Sequence, residues 1–288
     1  MTATALADYY ELTKPRIIVL LLITTLAAMV MAAHGLPPLG LVLATLLGGA
    51  LAAGSAGAFN CVIDRDIDRL MARTAHRPLA VGRIAVPAAV LFASALGAGA
   101  FAILYLLVNP LAAWLSLAGN VYYVVIYTLW LKRATPLNIV IGGAAGAIPP
   151  LVGWAAVTHT VGAPALALFA LIFLWTPPHF WSLALMVETD YHRANVPMLP
   201  NVRGVAHTKL QIFIYTLVLV GVSLALTPLG IMGLWYLVPA AILGALFIFD
   251  AWRMLRGATQ PLARILFRYS LVYLALICAA MVLDRILG

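Results

Sequence analysis

Charged residues are scarce in this chain. Asp, Glu, Lys and Arg make up 9% of its 288 residues and hydrophobic residues 65%, whereas a soluble domain carries roughly 25% charged residues. So little polar surface cannot cover a water-soluble globule, which excludes an aqueous enzyme or regulatory domain. Cysteine is scarce too. Cys61 and Cys278 stand in no metal-ligand spacing and are expected near opposite ends of the fold, so neither a disulfide nor a thiolate metal centre is expected. Arginine is missing from the first fifteen residues, which contain Asp8 and Glu11. That speaks against a mitochondrial transit peptide and a cleaved secretory signal.

What the chain has is apolar runs close to the roughly 20 residues that cross a bilayer. They predict nine transmembrane helices, at 16–34, 38–58, 86–108, 111–131, 138–158, 165–187, 209–227, 232–250 and 266–286. The breaks fall at helix-ending residues: Gly35-Leu36-Pro37-Pro38, Asn109-Pro110 and Thr227-Pro228-Leu229-Gly230. The fold class is all-α integral membrane, with residues 1–288 as a single domain. The formal net charge of +8 would suggest nucleic acid in a soluble protein. Here it marks the cytoplasmic loops, and no nucleic acid is expected. The N-terminus and the loops after spans 2, 4, 6 and 8 hold 16 of the 17 Lys and Arg, and only Arg285 lies opposite. The expected location is a prokaryotic inner membrane, with the N-terminus cytoplasmic and the C-terminus outside.

Eight of the nine Asp and Glu share the basic side, which the positive-inside rule does not require. Asn60, Asp64 and Asp68 are spaced four apart where span 2 reaches the surface, so a continuing helix stacks them on one face. Two readings stand. One is a solvated helix end whose Asps are neutralised by Arg65 and Arg69. The other is a Mg²⁺ site completed by substrate phosphates. Arg69, Arg73 and Arg77 continue the four-residue spacing, and arginine matches phosphate oxygens. The second acidic stretch, Glu188-Thr189-Asp190-Tyr191-His192-Arg193, leaves span 6 on the same side, with Glu188 the weaker candidate of its pair. Together the two stretches suit a diphosphate leaving group held by metal and arginine.

Asn60-x3-Asp64-x3-Asp68 resembles the first acidic motif of the UbiA-type intramembrane prenyltransferases. Longer runs resemble that family's heme-farnesylating branch. They include Leu12-Thr13-Lys14-Pro15-Arg16, Asn60 through Met71, Tyr127-Thr128 to Trp154, Trp175-Thr176-Pro177-Pro178-His179-Phe180-Trp181, and Asp190-Tyr191 with Val196-Pro197-Met198-Leu199-Pro200. The resemblance implies nine helices bundled around a central cavity, Mg²⁺ as cofactor, farnesyl diphosphate as donor and heme B as acceptor, and it leaves room for a heme-handling partner protein. By position, Asn60, Asp64 and Asp68 would bind Mg²⁺–diphosphate and Asp190 would join a second metal site, with Tyr191 beside it. Ala194 stands where many UbiA-type enzymes have a second Asp, a reduction the heme branch shares. Asp64, Asp68, Lys132 and Arg73 are the expected catalytic residues, and Arg77 binds diphosphate. Acceptors of another kind, aromatic or quinone-precursor, and a secondary transporter are the alternative functions.

Heme needs an apolar cavity with basic groups at its rim. Lys132 and Arg133, ending span 4, are expected to meet propionate or phosphate, or else to anchor the helix in the headgroups. His179 is expected about 12 Å below the surface, at about 1.5 Å per residue, just after a helix break at Pro177-Pro178. It either binds heme iron or moves a proton, or it is a neutral histidine bonded to a neighbouring helix. Trp154, Trp175, Trp181, Tyr122, Tyr123 and Tyr127 line an isoprenoid channel or fill the core. Gly142, Gly143 and Gly146 are expected at close helix contacts. The stretch 61–85 is long enough to form a lid over the site.

Overall fold

The computed structural model describes residues 3–257 and 259–288. Helix α1 (Ala3–Leu12) is followed by Lys14, whose left-handed backbone (φ 56°) redirects the chain into α2 (Pro15–Ala33). Proline fits there because the first helical residue needs no amide. Helix α3 (Leu39–Ile63) passes through Asp64 into the short α4 (Arg65–Leu70). Across that joint the amides of Asp64 and Asp68 donate to the carbonyls of Asn60 and Asp64, at 2.9 and 2.7 Å. The four-residue spacing therefore survives the bend.

Helix α5 (Val86–Leu107) returns across the bilayer to Asn109. Asn109 caps α6 (Pro110–Val121) by accepting the Ala112 amide at 2.9 Å, and it also donates to the Ala155 carbonyl at 2.8 Å. Beyond Val121 the helix widens into a π-helical stretch, Tyr122–Leu131, then tightens again in α7 (Lys132–Ala134). There follow α8 (Asn138–Thr158), α9 (Ala163–Met186), α10 (Glu188–Arg193), α11 (Leu199–Arg203), α12 (Val205–Ala225), α13 (Leu234–Arg256) and α14 (Thr259–Leu287).

Among the described residues nine helical segments are long and apolar enough to cross a membrane, as the sequence predicts. The ends differ from that reading. The second span runs to Ile63, the eighth to Arg256, and the ninth starts at Thr259. Hydropathy reports the thickness of hydrocarbon, but backbone hydrogen bonding continues into the headgroup layer. Two groups of helices pack on a central pair. Helices α2, α3 and α6 gather against α8, with α5 behind α3, while α12 and α14 gather against α9 and α13 fills between them. Helices α2 and α14 meet, joining the first span to the last.

The expected break at Pro177-Pro178 is absent, and α9 runs through both prolines as α8 runs through Pro149 and Pro150. Residues Trp175 through His179 are all buried among the neighbouring helices, whose packing holds the chain helical through both prolines. Gly142 and Gly143 do sit at tight contacts, against Tyr127 and Thr176, but a side chain at Gly146 would meet open space. At the sparsely charged end, Asp284 of α14 accepts the amides of Gly233 at 2.8 Å and Tyr236 at 3.0 Å, capping α13. Both cysteines are buried and free.

Candidate active site

Asn60, Asp64 and Asp68 form a column on one face of α3 and α4. All three are buried, Asp64 completely. Burying carboxylates is costly unless cations meet them; two cations do so here and a third meets Asn60, each arriving from a different element. Lys132 of α7 bonds Asp64 Oδ2. Arg77, from the turns after α4, holds both Asp68 oxygens at 3.0 and 2.8 Å. Lys14, at the joint of α1 and α2, donates to Asn60 Oδ1. Asn60 Nδ2 in turn donates to Asp64 Oδ2 at 2.8 Å and to Thr128 Oγ1 at 3.1 Å. Burial opposes the Arg77 charge, but the adjoining Asp68 carboxylate outweighs it and raises the guanidinium pKa. Burial draws the Lys14 pKa down and neighbouring Arg77 adds to that, with Asp64 and Asp68 pulling the other way.

The neutralising partners differ from those expected for a solvated helix end. Arg69 donates to the Ala80 carbonyl at 2.8 Å, and Arg65 is exposed. The expected arginine stripe does not lie on one helix, because α4 stops at Leu70 and Met71 is extended. That break lets the chain turn back and bring Arg77 onto Asp68. It also joins the two acidic stretches: the Thr74 hydroxyl donates to the Asp68 carbonyl at 3.1 Å, and the Arg73 amide donates to Asp190 Oδ2 at 3.2 Å. Arg73 therefore reaches Asp190 through its backbone while its side chain is exposed. Asp190 and Tyr191 are buried on α10. Arg133 binds Asp66 with two bonds, at 2.8 and 2.7 Å, and lies 3.9 Å from Asp64 Oδ1. Those bonds hold the Asp66 carboxyl at about 2, below its ordinary 3.8.

The donor set suits a divalent cation that completes its shell from a substrate. Asp64 Oδ1 is buried with no hydrogen-bond partner. Among the described residues no three His, Cys, Asp or Glu side chains gather closely enough to hold a metal by themselves. Oxygens of an outside anion would therefore have to supply the rest, as Mg²⁺ sites commonly arrange.

The stretch 61–85 is packed over this end of the bundle. Leu79 and Ile84 join Leu12, Ala89 and Ala93 in a small core, and Arg83 pairs with Asp8 at 3.0 Å. His179 is buried between Trp175 and Phe267, with ring centroids 4.3 and 4.7 Å away, and its Nδ1 bonds Ser270 Oγ at 2.7 Å. The bond to Ser270 ties His179 to a neighbouring helix through Nδ1. Trp175 is tied to the same helix through the Ser270 carbonyl at 2.8 Å. Trp154 and Trp181 are core residues. Tyr122 donates to the Ile141 carbonyl at 2.9 Å, and the rings of Tyr123 and Tyr127 lie 5.4 Å apart.

Sequence reasoning about individual side chains missed Lys14 and Thr128. A lysine before Pro15 reads as an ordinary headgroup anchor, and Thr128 as one more hydroxyl in an apolar helix. The only signal for either is that both fall inside runs resembling the prenyltransferases.

The chain matches the model of the UbiA prenyltransferase family over residues 21–278. It is 58% identical over 286 residues to a protoheme IX farnesyltransferase of Gloeobacter violaceus, covering 99% of this chain and 93% of that one. Its fold is similar to a solved digeranylgeranylglyceryl phosphate synthase, with a TM-score of 0.80 and 20% identity over 98% of both chains. It is also similar to a UbiA homolog from Archaeoglobus fulgidus bound to DMAPP and Mg²⁺, with a TM-score of 0.68 and 18% identity over 95% of this chain and 99% of that one. A buried Asn60–Asp64–Asp68 column faced by cations, at the charged end of a bundle of membrane-crossing helices, is thus found in a chain that belongs to the UbiA prenyltransferase family.

Proposed function

We propose that this chain transfers a farnesyl group from farnesyl diphosphate to a vinyl group of heme B, giving heme O. The observation that carries the reading is the buried Asn60–Asp64–Asp68 column faced by Lys14, Lys132 and Arg77. Its likeness to a protoheme IX farnesyltransferase supplies the acceptor.

Asp64, Asp68 and Asn60 would hold Mg²⁺ with the donor diphosphate, and Asp190 a second ion. Mg²⁺, when bound, neutralises the charge that grows on the leaving diphosphate. Lys132, Arg77, Lys14 and the Arg73 guanidinium donate to diphosphate oxygens, holding the donor with its C1–O bond poised to break. That bond breaks with its electron pair leaving on the diphosphate. The vinyl π pair forms the new C–C bond to C1, and water adds to the resulting cation and loses a proton, leaving the hydroxyl. Arg133 at the rim offers a donor to a propionate, and Tyr191 lies beside Asp190. The packed 61–85 stretch keeps bulk water from the allylic cation. In this scheme His179 ties α9 to α14 through Ser270, and no step is routed through it.

The whole chain acts as one intramembrane domain. The charged end faces the cytoplasm of a prokaryotic inner membrane, by the charge asymmetry of the loops. Heme is too apolar to arrive freely through water, so a heme-handling protein belongs to the proposal. Membership in a prenyltransferase family leaves the secondary-transporter alternative without support. The test is mass analysis of the heme made when the chain is expressed in a host lacking this activity. Hydroxyethylfarnesyl heme is expected, with at least about 100-fold loss in Asp64→Asn and Asp68→Asn. Unmodified heme beside a prenylated aromatic or quinone precursor would overturn the acceptor, and full activity in both variants would overturn the site.

A further inference from the structure

Thr128 lies fully buried in the π-helical stretch. Several other threonines here bond back to the carbonyl four residues earlier: Thr25 to Leu21, Thr45 to Leu41, Thr176 to Ile172, Thr208 to Gly204 and Thr216 to Ile212. Thr128 instead donates to Tyr123, five residues earlier, at 2.9 Å. That reach matches the wider turn, which is rare and often marks functional sites. The single hydroxyl hydrogen is thereby committed, so toward any other group the oxygen can only accept.

The group it meets is Asn60, whose Nδ2 donates to Thr128 at 3.1 Å and to Asp64 at 2.8 Å. A carboxamide has a donor end and an acceptor end. With both acceptors on the nitrogen side, the oxygen must point the opposite way, where it receives the Lys14 ammonium. A reversed amide would turn its N–H groups toward that positive charge and its oxygen toward the Asp64 carboxylate.

We propose that Thr128 is a positioning residue: it fixes the Asn60 carboxamide with its oxygen on the cation side of the acidic column, and the π-helical turn puts it there. This rests on the metal–diphosphate role proposed for Asn60 and extends it to a residue one step removed. Thr128 touches neither metal nor diphosphate, and its effect passes through Asn60 alone.

The test uses the full-length chain in detergent, with Thr128→Val, Thr128→Ser, Asn60→Ala and the double variant Asn60→Ala/Thr128→Val. Mn²⁺ binding is followed by electron paramagnetic resonance with inorganic pyrophosphate present, and the Mg²⁺ dependence of heme farnesylation is followed separately. Thr128→Val keeps the shape and loses the acceptor, and is expected to weaken Mn²⁺ binding about tenfold. Its Mg²⁺ half-saturation should rise in parallel, with KM for heme unchanged. Thr128→Ser keeps the hydroxyl and should stay within about twofold of the starting protein. In the Asn60→Ala background, Thr128→Val should cost nothing further.

Wild-type metal binding in Thr128→Val, a loss in Thr128→Ser as large as in Thr128→Val, or additive losses in the double variant would each overturn the proposal. If Thr128→Val does not accumulate in membranes, Thr128→Ala is judged by the same outcomes. Wild-type protein that binds Mn²⁺ and pyrophosphate without farnesylating heme overturns the proposed acceptor and leaves the Thr128 inference standing. Wild-type protein that does not bind Mn²⁺ overturns both.

Discussion

Removing the Lys132 ammonium tests the electrostatics of the site. Asp64 has no exposed surface, and its Oδ2 is shared by Lys132 and Asn60 while its Oδ1 has no hydrogen-bond partner. In Lys132→Met, Arg133 remains at 3.9 Å from Oδ1. Removing one partner of a buried pair costs about 3–5 kcal/mol. The remaining Arg133 and Asn60 contacts put this case at the lower end, about 3 kcal/mol. For a chain of this length that corresponds to a Tm lower by about 6 °C, read by thermal unfolding in detergent with a chelator present. Added Mg²⁺ should then raise the Tm of the variant more than that of the wild type, because a ligand that binds only the folded state stabilises it more the more tightly it binds. A stranded carboxylate should bind the ion more tightly. Turnover moves the opposite way, falling about 100-fold as the leaving diphosphate loses a cation. A variant with unchanged Tm in chelator, or with no larger response to Mg²⁺, would refute the pairing and the reasoning built on it.

His179→Phe keeps a ring between Trp175 and Phe267 and removes the bond to Ser270. It should cost about 1 kcal/mol of stability and leave the absorption spectrum of titrated heme unchanged, whereas a shifted Soret band would make His179 an iron ligand. Asp66→Asn tests the exposed pair with Arg133. The folded-state pKa of Asp66 is depressed to about 2 from 3.8, so its contribution is present above the ordinary value and lost as pH falls through the folded one. The variant should be less stable by under about 1 kcal/mol at neutral pH. The two proteins should converge between about pH 4 and pH 2, and a difference that persists at the acid end would contradict the assignment.

The nine spans were legible because hydrocarbon thickness imposes a minimum apolar length and loop charge alternates with topology. The acidic column was legible because its spacing of four needs only a continuing helix, and the amides of Asp64 and Asp68 supply one. The cations that neutralise it were only partly legible. Lys132 could be placed at the end of its span, but its partner could not. Arg77 reaches Asp68 only because α4 ends at Leu70, and Lys14 reaches Asn60 from a left-handed residue. Backbone reversals of that kind leave no periodic trace. The widening at Tyr122–Leu131 is equally silent, since its run of apolar and aromatic residues carries no clear helical register. Pro177-Pro178 misled because proline reports a local cost, while the surrounding helices decide whether that cost is met.

The cap that Asp284 places on α13 has a consequence for how the molecule is made. The N–H groups of Gly233 and Tyr236 are satisfied by a side chain lying close to the end of the following helix. Until α14 has been made, those amides lack this acceptor. The start of α13 therefore gains its cap only when α14 is in place, so the two helices complete each other as a hairpin.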